Sequence, residues 1–276
     1  MSGGAEADFD LGYRVNLDGT RALLEACRKL ARPPKFVYAS SVAAFGGVLP
    51  EVLDDSTTPT PQTSYGAQKV MGEYLVADFT RKGMIDGRSM RLPTIVVRPG
   101  KPNLAASSFA SGIIREPLNG VVSECPVPET TGVWILSPRR VVEAFLHAHD
   151  TPASAWPSSR VVNLPGITLS VGEMIAAMGR VAGKNAVGRV KFVPDARIQG
   201  IVKTWPVRFR TERALAMGFK ADPDFDSVVR DYLATENVMS RSVTCAFGSR
   251  ALSAFAMREP RKPPPPVINA FMKIVS

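Results

Sequence analysis

Residues 1–236 predict an α/β protein built on a parallel sheet, and three observations point there. Helical and extended signals alternate, the extended stretches are short and apolar or β-branched, and proline or glycine closes the units, as at Pro33, Lys82-Gly83 and Arg98-Pro99-Gly100. The first helix is expected over 8–32, where Leu11, Val15, Leu23 and Leu24 form an apolar stripe and no proline intervenes before Pro33. Lys35-Phe-Val-Tyr-Ala-Ser40 then reads as a short buried strand. A loop rich in Asp, Thr and Pro, 54–63, leads into a second helix over 65–81, and 89–97 follows as a strand. Beyond residue 100 the order loosens into a smaller region. A helix is expected at 107–115, a strand at 132–137 and a helix opening at Pro138, with Ser137 as its cap. A strand at 161–164 precedes Ser170-Val-Gly-Glu173, a capping box that opens a helix to about Val181. Segments 211–217 and 225–233 finish the set.

Composition bounds the function classes. With 276 residues, 45% hydrophobic and 21% charged, the chain is neither collagen-like, coiled-coil nor wholly disordered, and can hold one large domain or two smaller ones. Cys27, Cys125 and Cys245 are odd in number and far apart, so they write neither a disulfide framework nor a metal clip. A reducing compartment fits them. The acidic N-terminus has no apolar core, and no stretch reaches the about 18 consecutive apolar residues of a spanning helix, so a soluble cytoplasmic protein is expected. The net charge of +9 is uneven: 237–276 holds six basic groups against the single acid Glu259, hence five of the nine charges. With the run from Pro263 to Pro266, this excess reads as a solvated, disordered tail rather than as a nucleic-acid footprint.

Chemistry enters at Tyr65-Gly-Ala-Gln-Lys69, which puts a phenol and an ammonium one helical turn apart on one face. A nearby positive charge favours the phenolate, which suits a general base. Taken alone, the pair is equally a surface helix pair. Its context is more telling. Ser40-Ser41 ends the preceding strand and Arg98-Pro99-Gly100 ends the following one, both at the C-terminal sheet edge where open α/β proteins bind ligands.

At these residues the chain resembles the extended short-chain dehydrogenase/reductase family, which includes sugar-nucleotide epimerases and dehydratases. The matching pieces are Val15-Asn16-Leu17-Asp18-Gly19-Thr20, Ser40-Ser41-Val42-Ala43-Ala44-Phe45-Gly46, Ser64-Tyr65-Gly66-Ala67-Gln68-Lys69, and Leu92-Pro93-Thr94 with Val97-Arg98-Pro99-Gly100. The resemblance implies a Rossmann-like doubly wound parallel sheet, with 1–100 as the C-terminal part of an NAD(P)-binding domain and 101–236 as mainly substrate-binding. It implies Ser41, Tyr65 and Lys69 as catalytic residues. Tyr65 would take the proton of the substrate hydroxyl, Lys69 would lower the tyrosine's pKa and bond the nicotinamide ribose, and Ser41 would hold the substrate oxygen. Ser40 and Pro99 join Tyr65 and Lys69 on the NAD side, and Asn16 supports the site. No metal is implied.

The segment Arg98-Pro-Gly-Lys-Pro-Asn-Leu-Ala-Ala-Ser-Ser-Phe-Ala-Ser-Gly-Ile-Ile-Arg-Glu-Pro-Leu-Asn-Gly120 resembles the NAD-dependent branch of this family that oxidises sugar acids of the D-erythronate type. Asn103, Ser107, Ser108 and Arg115 would then contact the substrate, with the arginine fork on its carboxylate. Arg115 could equally salt-bridge on a surface helix. The family's opening Gly-x-x-Gly-x-x-Gly turn, which receives the pyrophosphate at a helix N-terminus, is not found among the 22 glycines, so the sheet is expected to be incomplete, with about 70 residues of nucleotide-binding segment lacking. Two alternatives stay open: a sugar-nucleotide epimerase, and a non-catalytic interaction module. Dehydration is disfavoured, because Val42 and Ala43 follow Ser41 where the dehydratase branch places acids. Helices 8–32 and 65–81 match those that form a dimer interface in the family, so a homodimer is expected, although their apolar faces suit an intramolecular core as well. His147 and His149 fall on different faces of one helix, and Trp134, Trp156 and Trp205 are scattered like packing residues.

Overall fold

A computed structural model describes residues 3–100 and 105–246, with side chains as far as Thr235. Its strands are β1 (Lys35–Ser41), β2 (Asp86–Leu92), β3 (Thr94–Ile95), β4 (Ser123–Cys125), β5 (Gly132–Leu136), β6 (Val161–Asn163), β7 (Ile167–Ser170) and β8 (Val190–Phe192). The helices are α1 (Gly3–Ala7), α2 (Phe9–Tyr13), α3 (Gly19–Cys27), α4 (Ser64–Arg81), α5 (Ser108–Leu118), α6 (Pro138–Asp150), α7 (Val171–Ala182), α8 (Lys184–Val187), α9 (Ala196–Val202), α10 (Glu212–Ala216) and α11 (Phe225–Ala246). Residues 3–234 belong to one unit; from Thr235 a second begins, of which the description covers the helical run to Ala246. None of the described helices is long and apolar enough to cross a membrane.

The sheet that positions the site is parallel, in the order β1-β2-β6, with Ser41 beside Leu92 and Arg91 beside Asn163. Helices cover both its faces. On one, α3 and α4 bury Leu24 and Val76 against Tyr38 and Ile85. On the other, Ala144 and Ala148 of α6 meet Met90, Val162 and Trp156. Parallel strands covered on both sides must be apolar on both, which is why 35–40 reads as a continuous run. β6 comes from beyond residue 100, so the sheet crosses the boundary expected there. A further core joins α5, α7 and α11 to Val133, Ile135 and Cys125.

Several expectations change. The strand foreseen over 89–97 is two: β2 stops at Leu92, and after Pro93 the chain switches sheets, so that β3 pairs with β5 and β5 with β7. Proline has no N–H for a ladder, and the strand breaks there. The helix expected over 8–32 ends at Cys27 and contains a π-helical turn, Arg14–Asp18. α11 continues past 233 to Ala246, into the stretch expected to be tail; 247–276, with the expected disorder, lies outside the described residues. Ser137 and Ser170 cap α6 and α7 as expected, Ser170 through a full capping box with Glu173.

Candidate functional site

Ser41 closes β1 in an extended conformation and caps the 3-10 turn Val42–Ala44, its Oγ accepting the Ala43 N–H at 3.1 Å. The start of α4 lies directly on that turn. Thr63 caps α4 by accepting the Gly66 N–H at 3.0 Å, and a Cβ on Gly66 would stand 2.1 Å from the Ala43 carbonyl oxygen. Only glycine lets the Tyr65 turn settle this close to Ser41. One turn on, Lys69 Nζ donates to the Ala39 carbonyl at 2.7 Å and lies 5.6 Å from the Tyr65 ring centre and 4.8 Å from that of Tyr38. Ser41, Tyr65 and Lys69 thus meet at the C-terminal edge of the sheet, as the sequence spacing predicts.

Beneath them lies an ionic layer that sequence reasoning missed. Glu73, one turn beyond Lys69, is buried and accepts from Arg91 Nε at 2.8 Å and Nη2 at 2.7 Å. The Ser40 hydroxyl also donates to Glu73. Ser40 is therefore buried below the site, tying β1 to α4, where the sequence suggested a cofactor contact. The signal for Glu73 was its helical spacing from Tyr65 and Lys69; Arg91 gave none, because its partner comes from another element. Asn16 sits in the π turn, a feature frequent at functional sites, and donates to Gln68 Oε1 at 2.7 Å, so it braces α4 between Tyr65 and Lys69.

Burial holds the Tyr65 phenol above its ordinary pKa, while polar contact with the Ser41 hydroxyl and the charge of Arg98 pull it part of the way back. Burial lowers the Lys69 ammonium, opposed by Glu73. The lowering charge that bears on the phenol here is that of Arg98. Sequence reasoning treated Arg98 as part of a strand terminator.

Arg115 departs from its expected role. It is buried, donates through Nη1 to the Arg98 carbonyl at 2.8 Å and through Nη2 to Glu116 Oε1 at 2.6 Å, so its fork is occupied within α5 and the loop before it. Pro99 is exposed beside Arg98, Ser107 and Ser108 are half-buried at the start of α5, and Asn103 lies outside the described residues. His147 bonds the Met217 carbonyl and His149 pairs with Asp150. No group of three or more potential metal ligands occurs among the described residues. A cleft of about 430 Å³ opens between the loop 47–53 and the segment 203–208, away from Ser41, Tyr65 and Lys69.

Comparison with known proteins agrees with this arrangement. The model of the NAD dependent epimerase/dehydratase family matches residues 5–163, which span Ser41, Tyr65 and Lys69. The chain is 54% identical over 233 residues to D-erythronate dehydrogenase of Cupriavidus necator, an alignment covering 84% of this chain and 72% of that protein. To D-erythronate dehydrogenase of Haemophilus influenzae it is 46% identical, covering 84% and 74%. Among solved structures, the nucleoside-diphosphate-sugar epimerase of Agrobacterium tumefaciens superposes with a TM-score of 0.82 at 42% identity, covering 86% of this chain and 71% of that one. L-threonine 3-dehydrogenase of Trypanosoma brucei does so with a TM-score of 0.75 at 26% identity, covering 91% and 75%. By its matched residues, its relatives and the Ser41–Tyr65–Lys69 geometry, the chain belongs to the NAD dependent epimerase/dehydratase family.

Proposed function

We propose that this site oxidises the hydroxyl next to the carboxylate of a sugar acid of the D-erythronate type, with NAD as oxidant. The observation that carries the reading is the 54% identity with a D-erythronate dehydrogenase over 233 residues, 84% of the chain. The donor set suits the nicotinamide end of the dinucleotide: Lys69 uses one N–H on the Ala39 carbonyl and has two more for ribose hydroxyls, and Tyr65 and the exposed Pro99 stand at the same sheet edge. The pyrophosphate turn of the family has no counterpart in this sequence.

Within this reading the residues divide the work. Ser41, fixed by its bond to the Ala43 N–H, donates to the substrate oxygen and orients the hydroxyl toward Tyr65. Tyr65 accepts the hydroxyl proton at its phenolate oxygen, and Lys69 holds the ribose and supplies positive charge behind the ring. The chemistry that bound NAD supplies is acceptance of hydride from the carbon bearing that hydroxyl. Ser107 and Ser108 stand after the catalytic strands, where a polyhydroxy chain would run. We also propose a homodimer through 8–32 and 65–81.

The test is reduction of NAD by the purified chain with D-erythronate, with Tyr65→Phe expected to lower turnover by about 10³-fold. The Agrobacterium similarity favours one second reading, a nucleotide-sugar epimerase. Interconversion of a nucleoside-diphosphate sugar without net NAD reduction would select it. Absence of both activities, with no NAD binding by calorimetry, would leave a non-catalytic interaction module.

A further inference from the structure

We infer that Arg98 receives the carboxylate of the substrate, the role that the sequence suggested for Arg115. The inference rests on the sugar-acid reading above and names the residue that would enforce it. The Arg98 backbone is clamped on both sides: its N–H donates to the buried Ser111 Oγ at 3.1 Å and its carbonyl accepts from Arg115 at 2.8 Å. What remains unassigned is the guanidinium. Among the described residues no carboxylate pairs with it, its Nε is buried without a hydrogen-bond partner, and 101–104 contains no acid. A buried donor left unmet is unfavourable, and a ligand oxygen arriving at this sheet edge would satisfy it.

The neighbourhood selects the ligand. Arg115 is paired with Glu116, whereas no carboxylate among the described residues pairs with Arg98, whose charge acts on the Tyr65 phenol. In a 2-hydroxy acid the carboxylate is bonded to the very carbon whose hydroxyl meets the catalytic base. A guanidinium at the end of the same sheet edge, with its charge reaching Tyr65, suits that carboxylate, and its planar fork matches the two oxygens. A cofactor phosphate offers the same charge but belongs to the end of the dinucleotide remote from the reacting hydroxyl.

Binding by the full chain, read by calorimetry and ligand-observed NMR, separates these cases with three probes: D-erythronate, erythritol, which has the same carbons without the carboxylate, and ADP. The native chain is expected to prefer the acid over erythritol. Arg98→Met should weaken D-erythronate at least tenfold, about 1.4 kcal/mol, and leave erythritol and ADP unchanged, while Arg98→Lys keeps an intermediate affinity. Unchanged acid affinity in an Arg98→Met protein with native circular dichroism and melting overturns the assignment. So does a loss confined to ADP. Loss of acid preference in Arg98→Met, together with no NAD reduction by the native chain, would support Arg98 as the carboxylate site and refute the dehydrogenase reading instead. No acid preference in the native chain refutes both.

Discussion

Tyr65 is the residue on which the electrostatics of the site converge. Burial raises its pKa, and Ser41 and Arg98 act the other way, so the phenol stays protonated through the neutral range and the base form grows in above it. For the proposed oxidation, kcat/KM should therefore rise with pH on the alkaline side of neutrality. Removing the Arg98 charge in Arg98→Met takes away a lowering influence, so the limb should move to higher pH, and Ser41→Ala should move it the same way. A pH profile measured at saturating NAD checks this; a limb that moves to lower pH refutes the electrostatic account. The Ser41, Tyr65 and Lys69 set was legible because its geometry is local, a strand end and one helical turn. The roles of Arg98, Arg91 and Arg115 were not, because an arginine's role depends on which carboxylate the fold brings to it. Glu73 went to Arg91 and Glu116 to Arg115, and Arg98 was left without either.

At the scale of elements, the site depends on how closely α4 approaches β1. Gly66 meets the Ala43 carbonyl, and a Cβ on Gly72 would lie 2.2 Å from the Tyr38 hydroxyl, so both glycines are contact points for the sheet. Gly66→Ala should push the Tyr65 turn off Ser41 by about 1 Å and lower turnover by about 100-fold, with far-ultraviolet circular dichroism unchanged. Turnover within twofold of native would show that the turn adapts. The Glu73–Arg91 pair bolts the same elements together from below. Glu73→Gln leaves a buried guanidinium uncompensated and should cost about 3–5 kcal/mol, about 10 °C in melting temperature. Glu73→Leu combined with Arg91→Met should recover much of that loss, since a buried pair replaced by apolar groups is often neutral. Equal melting of the single and double variants would place the stabilisation elsewhere. The long helices, the Ser137 cap and the Ser170–Glu173 capping box were visible in sequence because their signals repeat or sit at fixed offsets. β4, β6 and β8 span three residues each, too few for a periodic pattern, and among these only β6, beside an apolar run, was foreseen.

At the scale of the whole molecule, the helices beside the site carry apolar side chains that the described fold leaves uncovered. Phe9 is 59% exposed, Val15 49%, Leu23 56% and, on α4, Tyr74 69%. α3 and α4, which carry Leu23 and Tyr74, bury Leu24 and Val76 on their inner faces, so these two outer residues are surplus to the intramolecular core. A second copy related by a two-fold axis would cover them by meeting the same surface on itself, as most homodimers do. Sedimentation of the native chain should then give the mass of two chains. Leu23→Glu with Tyr74→Glu should give one, because a carboxylate without a partner is costly to bury in an apolar interface. Both positions are exposed in the single chain, so the variant should keep its circular dichroism. Tyr74 adjoins Glu73 on the helix that carries Tyr65 and Lys69, so dissociation should also loosen α4 and raise amide exchange along 64–81. A native chain that sediments as a monomer, or a double variant that stays dimeric, would remove these helices as the interface.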